Sequence, residues 1–119
     1  MPTPRYVILL HRTADGEHWD FMLETGAALA TWQLAAEPTG PAGLPLAATR
    51  LADHRKAYLD YEGQLSRNRG AVSRVDTGVY RLVRQDEDRW EFELAGGRLT
   101  GRFAFLRQPD GEQWQFILR

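Results

Sequence analysis

Trp90-Glu91-Phe92-Glu93-Leu94, followed by Ala95-Gly96-Gly97-Arg98 and then by Phe103 and Phe105, is the stretch whose period decides the fold class. Apolar and charged residues alternate, so Trp90, Phe92 and Leu94 share one face of a half-buried strand while Glu91 and Glu93 take the other. A glycine pair between two such runs is hairpin chemistry. Pro109-Asp110-Gly111 gives the next reversal, into Trp114, Phe116 and Leu118. The same period runs upstream. Arg5 to His11 is an apolar strand, His18 to Glu24 sets Trp19, Phe21 and Leu23 against His18, Asp20, Met22 and Glu24, and Ala28 to Leu34 continues with Leu29 and Trp32. Glu37 to Pro45 is a proline and glycine loop. Gly70 to Asp76 and Gly78 to Arg84 predict two strands about a turn at Asp76-Thr77-Gly78, and Leu51 to Glu62 is the one segment suited to a short helix. The expectation is an all-β fold, a small antiparallel barrel of about eight strands with at most one short helix, because closure removes exposed edges.

A chain of 119 residues is read as one domain over 1–119, large enough to bury a core without staples. The absence of cysteine excludes disulfides, thiolate metal sites and cysteine nucleophiles, leaving His, Asp and Glu as strong metal ligands. Met1-Pro2-Thr3-Pro4-Arg5 lacks the charged and apolar regions of a signal peptide, and no apolar run approaches the roughly 18 residues that span a bilayer. These features predict a cytoplasmic monomer with no membrane partner. A net charge of −1 gives the whole-molecule field no pull on nucleic acid, so such binding requires a local patch. Arginine dominates the basic residues, Lys56 being the lone lysine. That bias suits phosphate forks, and a GC-rich coding sequence produces it equally well.

The three histidines fall into two constellations. Arg12 to Glu17, with Asp15-Gly16, is turn-rich, so a hairpin brings His11 beside His18. His18 and Asp20, two residues apart, project from one strand face, and cross-strand neighbours lie about 5 Å apart at Cβ. His11, His18 and Asp20 can therefore converge on one divalent ion at the open end of the barrel. Two imidazoles and one carboxylate leave positions free for water or substrate and suit manganese, zinc or iron. These residues serve equally as ordinary polar groups of a strand rim, and Glu24, on the same face, is a possible outer partner. In the second constellation His54 and Tyr58, four apart, share a helical face or a tight loop, a pair able to protonate a leaving oxygen and hold a phosphoryl group. A helix cap with Tyr58 in the core accounts for them as well.

The two blocks in this order resemble the 3'-phosphoesterase domain found at the N-terminus of bacterial DNA ligase D and as free-standing proteins. That family shows His, a spacer, His-Tyr-Asp-Phe-Arg-Leu-Glu, a Trp strand, Glu-Asp-His-Pro, and Tyr followed by Phe-Glu-Gly. Here stand His11, His18-Trp19-Asp20-Phe21-Met22-Leu23-Glu24, Trp32, Asp53-His54, Tyr58 and Tyr61-Glu62-Gly63. Arg69-Gly70-Ala71-Val72, Asp76-Thr77-Gly78-Val79-Tyr80, Leu99-Thr100-Gly101-Arg102-Phe103 and Trp114-Gln115-Phe116-Ile117-Leu118 extend the likeness over essentially the whole chain. The resemblance implies a small β-barrel and a manganese-dependent phosphoesterase that trims ribonucleoside or phosphate from DNA 3' ends during non-homologous end joining. Zinc or another divalent ion is the alternative cofactor. It further implies that His11, His18 and Asp20 bind the metal, while His54 and Tyr58 are catalytic. A DNA ligase, a polymerase or an end-binding protein is the partner it suggests.

The chain departs from the family pattern on the phosphate side. The arginine two positions after the metal aspartate is Met22, the lysine after the Trp strand is Ala36, the glutamate before Asp53 is Ala52, and the first spacer is one residue longer. Losing a guanidinium aimed at a phosphate removes transition-state stabilisation, on the scale of about 3 kcal/mol for one oxyanion donor. Arg50, Arg55 and Arg69 are the candidate substrate-binding replacements, with Arg67 nearby; each is also an ordinary solvated arginine. Two functional classes follow: a divalent-metal phosphoesterase, or a catalytically weak or inactive accessory module that binds metal or nucleic acid. A small-molecule barrel with an iron-type triad is a third.

Overall fold

The period-two pattern becomes nine strands in a computed structural model that describes residues 3–40 and 43–119. They are β1 Arg5–Thr13, β2 Gly16–Thr25, β3 Ala28–Leu34, β4 Leu46–Arg55, β5 Gly63–Gln64, β6 Ala71–Gln85, β7 Arg89–Gly96, β8 Thr100–Arg107 and β9 Gln113–Leu118. All pairings are antiparallel, in the order β1-β2-β3-β4-β9-β8-β7-β6, and β6 returns to pair with β1, closing a barrel of eight strands. β5 is a two-residue addition beside the start of β6. No helix among the described residues is long and apolar enough to cross a membrane. Of the proline and glycine loop expected over Glu37 to Pro45, residues 41 and 42 lie outside the described residues.

The barrel interior is aromatic. Tyr6, Phe21, Trp32, Phe92, Phe103, Phe105 and Phe116 are fully buried, and Trp32 stacks on Phe105 with ring centroids 4.2 Å apart. Burying side chains of this size is worth roughly 1.5–3 kcal/mol each. The alternation of β7 sends Trp90, Phe92 and Leu94 inward, as its sequence predicts. A second apolar cluster, Val7, Leu9, Met22, Leu29, Leu59 and Val72, lies on the opposite face of the β1–β3 strands. It is covered by the segment that holds Leu59, Tyr58 and Leu65. The outer face of β1 and β2 is therefore partly a second small core, not the wholly polar surface that the pattern around His18 suggested.

Two expectations are corrected. Leu51 to Glu62 is not helical along its length: strand β4 continues to Arg55, and the short helix expected within it is the single 3-10 segment Lys56–Leu59. A bulge explains the misreading. Leu29 pairs with His54 and Thr31 with Leu51, so β4 spends three steps where β3 spends two, and Ala52-Asp53 break the alternation. Nor is Asp76-Thr77-Gly78 a turn, since β6 runs unbroken through it. Asp76 instead reaches across the sheet. Its carboxylate accepts from Tyr6 Oη at 2.7 Å and from the backbone N–H groups of Arg98 at 2.9 Å and Leu99 at 3.1 Å. Gly78 is demanded by the neighbouring strand, whose Ala95 carbonyl oxygen would lie 2.3 Å from any Cβ placed there.

Candidate metal centre and cleft

The β1–β2 hairpin sets His11 directly opposite His18, and Leu9 opposite Asp20. Tyr6 and Ile8 point into the barrel, so Leu9 and His11 point outward, and Phe21 and Leu23 inward require Asp20 and Met22 outward. The site thus lies on the outer wall of the barrel beneath the 56–70 segment, not at the open end expected from the sequence. His11, His18 and Asp20 each offer one ligand atom within 4.8 Å of the others. Nδ1 of His11 faces Nε2 of His18 at 3.0 Å, and the rings meet edge to face. Nε2 of His18 lies 3.3 Å from Asp20 Oδ1, and Nδ1 of His11 lies 3.7 Å from Oδ2.

Several features fit this donor set to a cation. Nε2 of His11 is 2.7 Å from the Arg69 carbonyl oxygen, an acceptor only, so this nitrogen carries the proton and Nδ1 presents its lone pair. The Asp20 side chain is 5% exposed, and its Oδ1 is buried with no hydrogen-bond partner. A buried, unpaired carboxylate oxygen is costly unless a positive charge meets it. Burial pushes the Asp20 carboxyl above the ordinary carboxylate range, while His18, His54 and His11 oppose that shift. These donors fit a divalent ion with nitrogen and oxygen ligands.

A cleft of about 410 Å³ opens beside the centre, and His11, Asp20, Met22, His54, Arg55, Tyr58 and Arg69 all line it. The β4 bulge puts His54 opposite Leu29, on the face that carries Asp20 and Met22. Nδ1 of His54 donates to the Ala52 carbonyl at 3.0 Å, leaving Nε2 for the cleft. Tyr58, on the 3-10 segment, lies with its ring centroid 5.9 Å from that of His54. His11, His18, Asp20, His54 and Tyr58 are thus brought together from β1, β2, β4 and the turn after it.

The arginines divide. Arg55 and Arg69 line the cleft. Arg50 does not, for it precedes the bulge on the inward-facing phase of β4, its guanidinium 4.4 Å from the Trp32 ring and 5.1 Å from Trp90. There it closes over the barrel's indoles as a cation–π lid and reaches Asp53 at 3.4 Å. Met22, 1% exposed, is held in the outer apolar cluster. Glu24 turns from the centre, accepting from the Arg5 backbone N–H at 3.0 Å and pairing with Lys56 at 2.8 Å. One contributor escapes motif reading altogether, the Arg69 carbonyl that orients His11. Its only trace in the sequence is Gly70, at φ +91°, where a Cβ would lie 1.9 Å from the Arg12 carbonyl oxygen.

Residues 10–107 match the family described as "DNA Ligase D 3'-phosphoesterase domain". The multifunctional non-homologous end joining DNA repair protein LigD of Mycobacterium tuberculosis (strain H37Rv) is 28% identical over 116 residues, covering 92% of this chain and 15% of that protein. The multifunctional non-homologous end joining protein LigD of Pseudomonas aeruginosa is 28% identical over 123 residues, covering 96% of this chain and 14% of its own length. The chain spans about one seventh of the length of these relatives.

Proposed function

The chain belongs to the DNA ligase D 3'-phosphoesterase domain family, and from that membership and the cleft geometry we propose that it is a divalent-metal phosphoesterase, manganese being the favoured ion, acting on 3'-phosphate or 3'-ribonucleoside ends of nucleic acid. A phosphoesterase-like role is what the family match supports. The observation that carries the finer reading is the convergence of His11, His18 and Asp20 within 4.8 Å, beside a cleft that His54 and Tyr58 line. A divalent ion bound by those three residues would supply Lewis-acid charge to a phosphoryl oxygen.

The chain's own groups supply the rest. His54, oriented through Nδ1 by the Ala52 carbonyl, turns Nε2 to the cleft, where its protonated form donates to the departing oxygen. Tyr58 Oη donates to a non-bridging phosphate oxygen. Arg55 and Arg69, at the cleft wall, provide the guanidinium charge that Met22 lacks. Phosphoryl transfer needs little covalent chemistry from the protein beyond such positioning and charge.

The test is a duplex bearing a 3'-terminal ribonucleotide or phosphate, incubated with purified protein and manganese, with EDTA and His11→Ala as controls. Product that disappears in both controls is the expected result. Metal-dependent binding without turnover would overturn the enzyme reading in favour of an accessory module, a reading that the apolar setting of Met22 supports.

A further inference from the structure

We infer that the cleft continues into a nucleotide subsite formed by Arg55, Tyr58, Tyr61 and Arg69, which receives the nucleotide on the 5' side of the phosphate held at the metal centre; this rests on the phosphoesterase reading above. A second cleft, of about 290 Å³, shares Arg55, Tyr58, Leu65 and Arg69 with the first. The two form one groove. Its far half brings in Tyr61 and Ser66, and no carboxylate lines this second cleft among the described residues. Two guanidinium groups without acidic company make that stretch cationic.

The groove offers more than charge. Tyr61 is 39% exposed, and its ring meets that of Tyr58 edge to face, at 6.4 Å and 83°, so Tyr58 does not cover it as a stacked partner. Its hydroxyl is tied to the Gln64 carbonyl, which fixes the ring in place. Arg69 is likewise fixed, donating through Nε to the Ser66 carbonyl and through Nη2 to Ser66 Oγ, both at 3.0 Å. A held aromatic surface beside held cations matches a nucleobase joined to phosphates, because base–aromatic stacking and guanidinium–phosphate pairing are the two contacts such a ligand needs. The direction follows from the substrate class. A 3'-phosphate end and a 3'-ribonucleoside end have in common only the nucleotide on the 5' side of the scissile phosphate.

The test joins binding to turnover. Anisotropy of a 5'-labelled oligodeoxynucleotide ending in a 3'-phosphate is measured in EDTA and in manganese, and kcat/KM is measured on that oligonucleotide and on p-nitrophenyl phosphate, which carries no nucleoside. Tyr61→Ala is expected to weaken oligonucleotide binding about tenfold and to lower the ratio of the two kcat/KM values by about the same factor. Tyr61→Phe, which keeps the ring but releases it from the Gln64 carbonyl, should lose far less of both than Tyr61→Ala and serves as the folded reference. Unchanged binding and an unchanged ratio in Tyr61→Ala, or failure of the wild type to bind the oligonucleotide, would overturn the subsite. Failure of the phosphoesterase reading has a different signature: the wild type releases no phosphate from either substrate, while the binding arm still reports on the groove.

Discussion

Nε2 of His11 lies 2.7 Å from the carbonyl oxygen of Arg69, 58 residues further along the chain, so a loop remote in sequence determines which imidazole nitrogen faces Asp20. The contact depends on how closely the Arg69-Gly70 backbone approaches β1. Gly70 permits that approach, since its φ of +91° suits glycine and a side chain would collide with the Arg12 carbonyl.

Gly70→Ala should therefore lower metal affinity by about 10–100-fold, the usual cost of losing a partner that orients a metal-bound histidine. Isothermal titration with manganese, alongside a melting curve for the unliganded variant, separates the lost orientation from general unfolding. Wild-type affinity in the variant would show that the Arg69 carbonyl is not needed.

Manganese should raise the melting temperature of the wild type, and Asp20→Asn should abolish that rise. It should also alter the pH profile without metal. Burial raises the Asp20 carboxyl, so the folded state holds its proton more tightly than the unfolded chain, and stability falls as pH rises from the ordinary aspartate value of about 3.9 through the raised one. The variant lacks that contribution, which makes it the more stable of the two at neutral pH in EDTA. Urea titrations at several pH values read the difference.

Arg69→Ala should reduce kcat/KM on a 3'-phosphate oligonucleotide by about 100-fold, the scale of one donor to a transition-state oxyanion. Met22→Arg in that background should recover part of the loss, because a long basic side chain rooted in the apolar cluster can extend its head into the cleft that Met22 already lines. No recovery in a correctly folded double variant would place the missing charge elsewhere.

Glu24→Gln should cost about 1 kcal/mol of unfolding free energy at neutral pH, the scale of a partly exposed charged hydrogen bond. Glu24 joins the β1 backbone to Lys56 on the 3-10 segment, and the hydrogen bond from Lys56 outweighs the opposing effect of burial, the next largest, and with that from the Arg5 N–H holds its carboxyl below the usual range. A depressed carboxylate stabilises above its unfolded value, about 4.3, and loses that contribution as pH falls through its folded value. The gap between wild type and variant, followed by denaturant unfolding, should close in acid.

Much of the barrel was legible because period two survives in single strands. Trp19, Phe21 and Leu23 turn inward as their spacing requires, and Gly96-Gly97 marks the β7–β8 reversal. The clustering of His11, His18 and Asp20 was legible for the same reason, since His18 and Asp20 share a face and the hairpin delivers His11. What escaped reading depends on partners distant in sequence. The Ala52-Asp53 bulge is set by pairing with β3 and leaves no local signal, so β4 looked helical and the inward phase of Arg50 was invisible. Asp76 and Gly78 imitate a turn, although one caps a turn on another strand and the other makes room for Ala95. The outer apolar cluster exists only once Leu59, Tyr58 and Leu65 fold back, which is why the face that Met22 shares with His18, Asp20 and Glu24 read as polar.

β1 is stitched on one side to its hairpin partner and on the other to β6, where Arg5 meets Val79 and His11 meets Val72. That second row is the seam of the cylinder, joining parts of the chain so far apart that loop-closure entropy makes it slow to zip. His11 sits on the seam. An ion grasped there would work as a clasp as well as a cofactor, so chelation should loosen the closing row first, and amide exchange along β1 and the first half of β6 should quicken before that of β7, β8 and β9.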